Sequence, residues 1–248
     1  MTDPVVMGDR EAIAARISRR SYLPVPLDSD QIASIEVLVA EANSAGGLAL
    51  ALVADRPDLF GGFRKTYGLL TGVRNFLVLA GPEDDPDAAE KCGYYGERIV
   101  LELTKRGLGT CWVGGSFDRG SIGALVSPGN RLFGVIALGP VEDRLTPRER
   151  LVRFSTHLVK STAGRFHETD GSEPDWFFEA IARVALAPSA MNRRPVCFKV
   201  ERGAIGCALR IHDATAGIDL GIAKYHFSTA FPDGVWQWGE RGVFLVRA

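Results

Sequence analysis

"RGLGTCWVGGSF", residues 106–117, is the stretch from which the rest of the chain is best read. Arg106 and Gly107 close a long amphipathic run with a cation in the last turn and a residue free to take positive φ, a common helix ending. That run opens at Asp85-Pro86, where a proline in the first helical position lacks only an N–H that would have no partner there. Between these ends Cys92, Tyr95, Ile99 and Leu103 recur at helical spacing. Past the helix, Gly114 and Gly115 remove side chains where backbone N–H groups could approach a flat ring closely, with Trp112 able to pack beneath. Read alone, the same residues also make a plain glycine-rich connection to a helix starting near Asp118.

Other elements follow from similar signals. Asp9 can cap a short helix carrying Ile13 and Ile17. Asp28 with Gln31 three residues later resembles a capping box, and Ile32, Ile35, Val39 and Ala42 continue it at helical spacing. Ser172 and Asp175 open a helix that runs into "APSAMN". Short apolar runs at 48–53, 76–80, 132–138, 196–200 and 242–246 read as strands. Helices and strands mix without steady βαβ alternation, so the expected class is α+β, a sandwich of helices around a mixed or antiparallel sheet.

Composition excludes several classes. A net charge of −1 provides no broad electrostatic footprint for nucleic acid or an anionic membrane. No apolar run approaches the roughly 18 residues a membrane helix needs, and the N-terminus lacks a signal-peptide core, so a cytoplasmic protein is expected. Cys92, Cys111, Cys197 and Cys207 have no metal-ligand spacing and read as small buried side chains. His157, His167, His212 and His226 lie in unrelated contexts, so no metal site is expected. "GGSFD" (114–118) is not a GxSxG nucleophile elbow. Neither GxGxxG after a strand nor GxxxxGK[ST] occurs.

Three further stretches carry polar chemistry. In "RISRRSY" (16–22), Arg16, Ser18 and Arg20 alternate; extended backbone would turn them to one side, where two guanidiniums and a hydroxyl suit a phosphate. A solvated basic helix end is the other reading. "TPRERLVRF" (146–154) brings Arg148 and Arg150 at what looks like a surface helix start. "APSAMNRRP" (187–195) is a Pro-Ser turn with Asn192 as a two-sided amide, and "ANSAGG" (42–47) echoes it at the end of an earlier amphipathic helix.

Taken together and in this order, the four stretches resemble the flavin-dependent nitroreductases. The resemblance implies that Arg16, Ser18 and Arg20, followed by Tyr22, bind the phosphate of FMN. It implies that Leu108 to Gly115 place backbone against the flavin near N5, with Trp112, Val113, Gly114 and Gly115 as the supporting loop. Arg148, or Arg150, would return to the phosphate. Pro188, Ser189, Ala190 and Asn192 would contact the flavin ring. Arg194 stands where the family has Gln, and Val196 where an aromatic usually follows the proline. The flavin itself would do the chemistry, taking hydride from NAD(P)H and passing it to a small-molecule acceptor in ping-pong fashion. Position 194 and the stretch around Tyr67 are expected to shape the pocket.

Ordinary members are homodimers with flavin at the interface. Here the phosphate motif and Gly-Gly loop lie in the first half, and the Pro-Ser-x-x-Asn loop only in the second. The chain therefore resembles the single-chain nitroreductases with two fused halves, here 1–165 and 166–248, an internal pseudo-dimer and a monomer with one composite site. "ANSAGG" would be a relic of the lost mirror site. A flavin-binding protein without turnover, and a flavin-modifying or dehalogenating relative, are the alternatives the resemblance leaves.

Overall fold

A computed structural model describes residues 7–60, 69–158 and 166–246. The chain forms two compact units that interleave in sequence. Met1–Glu83 with Arg98–Arg150 makes the first, and Asp84–Glu97 with Leu151–Ala248 makes the second.

The first unit is built on a four-stranded antiparallel sheet of β1 (Ala51–Val53), β2 (Asn75–Pro82), β3 (Gly109–Val113) and β4 (Asn130–Gly139), in the order β1-β2-β4-β3. The central strands β2 and β4 are apolar and buried along most of their length, as their unbroken hydrophobic runs require. One core cluster includes Phe60, Phe76, Val78, Val113, Ile122, Val135 and Ala137. Around the sheet run α1 (Asp9–Ala15), α2 (Ser29–Gly46), the single turn α3 (Pro57–Phe60) and the short α5 (Arg119–Gly123). The capping box at Asp28 and Gln31 is present with both of its bonds, and Gly47 ends α2 at φ 62°.

The second unit holds a five-stranded sheet in the order β5-β6-β7-β9-β8, with β5 (His167–Thr169), β6 (Val196–Glu201), β7 (Ala204–Leu209), β8 (Gly234–Trp236) and β9 (Val243–Val246). Its β5–β6 pair is parallel and the others are antiparallel. Helices α7 (Phe177–Val184) and α8 (Ala216–Ser228) cover a core of Phe177, Phe198, Phe227, Trp236 and Phe244. The first turns of α4 (Ala88–Lys105), up to Glu97, also belong to this unit. There α8 lies close enough to α4 that a Cβ on Gly221 would overlap the backbone at Glu90 and Tyr94, so only glycine fits. Across the same contact, buried Lys224 donates to Glu90 at 2.5 Å and His226 meets Glu97 at 3.0 Å. Helix α6 (Pro147–Leu158) starts in the first unit.

The α+β class holds, with the helices arranged on two sheets rather than one. Several local expectations are corrected. The N-cap of α1 is Gly8, and Ile17 lies beyond the helix end at Ala15. The helix expected from Ser172 and Asp175 starts at Phe177, because Asp170 accepts the backbone N–H and hydroxyl of Ser172 in a turn of its own. That helix stops at Val184, short of "APSAMN". Residues 109–113, read as part of a connection, are strand β3. All four cysteines are buried and free.

Candidate functional site

Helix α1 ends at Ala15, and its C-cap Arg16, with a ψ of 124°, turns the backbone extended. Extended backbone then continues beside β3: Ser18 bridges Thr110, and the Arg19 N–H donates to the Thr110 carbonyl at 2.8 Å. On its other flank the segment exchanges bonds with Thr71, through Tyr22 N at 3.0 Å and Arg20 O at 2.9 Å. The extended reading of residues 16–22 is therefore the right one, and the frayed-helix reading is not. Arg16, Ser18 and Arg20 alternate along it and are half-buried. Tyr22 is buried, its hydroxyl within 3.0 Å of the Arg19 carbonyl and 3.1 Å of the Ala137 carbonyl, and burial pushes its pKa well up. It fastens the segment to β4.

The intervening side chains, Arg19 and Ser21, face the start of α6. There Glu149, 1% exposed, gathers five donors. One oxygen accepts from Arg20 N (2.7 Å), Ser21 N (3.2 Å) and Arg19 Nε (3.2 Å). The other accepts from Thr146 N (2.9 Å) and Thr146 Oγ1 (3.0 Å), which closes a capping box on α6. Burial alone would raise this carboxyl, but the N–H donors of Arg20 and Thr146 and the Arg19 guanidinium outweigh it and bring the pKa to about 2. Arg148 and Arg150 flank Glu149 and are exposed.

Strand β3 delivers the glycine loop. Val113 is buried, Trp112 is half-buried, and Gly114 and Gly115 are exposed immediately after the strand. The glycines of this stretch differ in what they do. Gly109 is demanded by packing, since a Cβ would overlap Val141 and press on Arg19. At Gly114 and Gly115 a Cβ would meet no atom within 4 Å, and neither needs positive φ. Nothing in the fold explains them, and the space beside their backbone is open.

The late loop lies in the second unit. Pro188, Ser189, Ala190, Asn192 and Arg194 are half-buried there, with a 3-10 turn over Ala190–Asn192. Met191, Asn192 and Arg194 all hold positive φ, at 51°, 58° and 51°. The loop is bound internally by Arg194 N to Ser189 Oγ (2.9 Å) and Arg194 Nε to Asn192 Oδ1 (3.3 Å). The Arg194 guanidinium also lies over the Phe166 ring, 5.6 Å from its centroid. The echo "ANSAGG" has work of its own in the first unit: Asn43 Oδ1 accepts from Leu50 N (2.7 Å), and its Nδ2 donates to Leu50 O (2.9 Å). This amide clamps the end of α2 to the chain entering β1. Tyr67 lies outside the described residues, as does the side chain of His157.

Residues 10–231 match the family model described as "Putative TM nitroreductase". The chain belongs to that family. A crystal structure described as a putative nitroreductase from Thermotoga maritima is similar over 98% of this chain and 95% of its own, at 22% identity and a TM-score of 0.63. An FMN-dependent nitroreductase from Clostridium difficile (17% identity, TM-score 0.45) covers 55% of this chain and 89% of its own. A nitroreductase with bound FMN from Bacteroides fragilis (16% identity, TM-score 0.42) covers 56% and 91%. No curated protein matches the chain.

For a nitroreductase, the first unit brings three of the four sequence motifs into one neighbourhood: the Arg16–Tyr22 segment, the strand leading to Gly114-Gly115, and the start of α6. Two guanidiniums and a hydroxyl on the segment docked at Thr110, with open glycine backbone further along the same strand, are a donor set that fits an anionic group carried on a flat ring. Sequence reading missed Glu149, although Thr146-Pro-Arg-Glu149 carries the capping-box pattern that could have found it. It also missed Asp219, a buried carboxyl on α8 that accepts the Ala190 N–H at 3.0 and 3.3 Å. A lone Asp in an apolar helix gives no such signal without the fold. Among the described residues no helix is long and apolar enough to cross a membrane.

Proposed function

We propose that the chain is an FMN-dependent NAD(P)H oxidoreductase of nitroreductase type. The observation that carries this reading is the extended Arg16–Tyr22 segment, docked at Thr110 near the start of β3, the strand that Gly114-Gly115 follow. Arg16, Ser18 and Arg20 hold the cofactor phosphate, with Arg148 or Arg150 adding charge from the first turn of α6. A backbone N–H of the Trp112–Gly115 loop donates to the ring edge near N5. Pro188, Ser189, Ala190 and Asn192 supply contacts to the ring's polar edge, and Arg194 adds a positive charge to that loop. When bound, FMN supplies the hydride chemistry, accepting from NAD(P)H and donating to a small acceptor such as a nitroaromatic or a quinone. The protein's part is to bind, orient and exclude water, so no acid–base pair of its own is required.

The two halves, 1–165 and 166–248, stand in for the two subunits of a dimer, and the protein works as a cytoplasmic monomer with one site. The test is an anaerobic titration of the flavin-loaded protein with NADH and, separately, NADPH, followed by addition of a nitroaromatic or a quinone. Bleaching of the flavin bands by either donor and their return with an acceptor is the expected result. A bound flavin that neither donor reduces would leave a flavin-binding protein without turnover.

A further inference from the structure

The loop Pro188–Arg194 is held in a conformation that its residues do not favour. Three non-glycine residues within four positions take positive φ, and each such residue carries a conformational cost. Something must hold it there. Ser189 Oγ and Asn192 Oδ1 tie the loop to itself, and the Arg193 guanidinium reaches Ala190 O (3.2 Å), Thr215 Oγ1 (3.1 Å) and Asp213 Oδ2 (2.6 Å). From beneath comes Asp219, 4% exposed, both of whose oxygens take the Ala190 N–H. Among the described residues no other donor reaches this carboxyl. It lines a small cavity together with Phe166, Pro188, Ser189, Arg194 and Ala223.

Burial pushes the Asp219 carboxyl up to about 7, against the pull of the Ala190 N–H and the Arg193 guanidinium; the Asp213 carboxylate pushes the same way as burial. Arg194, which lines the same cavity, is bonded to Asn192 and lies over Phe166, and ion pairs on the elements packed around α8 are made away from Asp219. Glu90 holds Lys224, Glu97 holds His226, Glu179 of α7 holds Arg183, and Lys199 of β6 pairs with Glu168. A carboxyl raised in the folded state subtracts stability as pH rises from 3.8 through about 7. A group buried at that cost, with its acceptor oxygens on a strained loop, is placed to control the loop rather than to stabilise the unit.

We propose that Asp219 is the positioning residue of this loop: its carboxylate grips the Ala190 N–H and sets the conformation that presents Asn192, and protonation loosens that grip. The loop's part in flavin binding rests on the function proposed above; the grip itself does not. The Ala190 N–H lowers the pKa that burial raises, so letting go of that N–H while Asp219 stays buried on α8 is favoured by protonation, opposite in sign to unfolding of the whole unit. A charged acceptor holds an N–H more strongly than a neutral one, enough for about a fivefold change in this local opening.

The experiment follows amide hydrogen exchange of peptides covering 188–195 between about pH 6 and about pH 8, corrected for intrinsic rate, in the wild-type protein and in Asp219→Asn. FMN affinity is measured alongside. Protection of the wild-type loop should rise about fivefold across this range, FMN should bind more tightly by a similar factor, and Asp219→Asn should show neither step. The same comparison removes any titration belonging to the FMN phosphate. The wild-type exchange profile carries the test by itself if the variant does not fold. A flat wild-type profile, or the same step in both proteins, would overturn the proposal. If the exchange step appears but FMN does not bind, the grip stands and the flavin assignment fails. If FMN binds at every pH without the step, the flavin assignment stands and the grip fails.

Discussion

Replacing Glu149 by Gln tests how the Arg16–Tyr22 segment is held. The carboxylate takes five donors, from Arg19, Arg20, Ser21 and Thr146. An amide of the same shape keeps one acceptor oxygen and turns an NH2 group toward the remaining donors, leaving buried N–H groups facing each other. The drop of the carboxyl from 4.5 to about 2 corresponds to about 3 kcal/mol at roughly 1.4 kcal/mol per pH unit. Glu149→Gln should therefore destabilise the protein by about 3 kcal/mol at neutral pH, lowering the melting temperature by about 10 °C. Because the folded value lies below the unfolded one, this advantage of the wild type is complete above pH 4.5 and is lost as pH falls through about 2. The gap between wild type and variant should hold from neutral pH to about pH 5 and shrink by roughly half near pH 3. Thermal unfolding of both proteins across that range measures it. A variant within about 1 kcal/mol of the wild type at neutral pH, or a gap that does not change with pH, would refute the reasoning.

Arg16→Ala and Arg20→Ala should each lower FMN content with little change in melting temperature, because both side chains are half-buried on the extended segment; unchanged flavin in both would remove the phosphate assignment. Gly115→Val should leave stability within about 0.5 kcal/mol, since a side chain meets open space there, yet block flavin uptake. Gly109→Ala should do the opposite in stability, with a loss of about 1–3 kcal/mol from the overlap with Val141. Asn43→Ala should cost about 1–2 kcal/mol by freeing both backbone groups of Leu50 and should not alter flavin affinity, read by urea unfolding and a flavin titration.

Much of the first unit was readable in advance because its signals are local. The capping box at Asp28, the glycine end of α4 and the apolar runs of β2 and β4 need only neighbours in sequence. Strand β3 was hidden by its flanking glycines: Gly109 is there for packing against Val141, a fact that belongs to the fold and not to the pentapeptide. Strand β7 was missed because Gly206 interrupts its apolar residues, and β5 and β8 are three residues each. At the candidate site the residue types were legible, but their backbone was not. Whether Arg16, Ser18 and Arg20 share a side depends on the bonds that Thr71 and Thr110 make to the segment. "ANSAGG" looked idle because the partner of Asn43 is the backbone of Leu50, which leaves no mark on side-chain identity. Glu149 passed unnoticed between two arginines that drew the eye by charge.

The most direct test of the central claim is native mass spectrometry of the purified protein, before and after incubation with excess FMN. The account predicts a single chain carrying one FMN, and loss of that mass increment in Arg20→Ala. A chain that takes up no FMN from excess, or one that holds it only as a dimer, would contradict it.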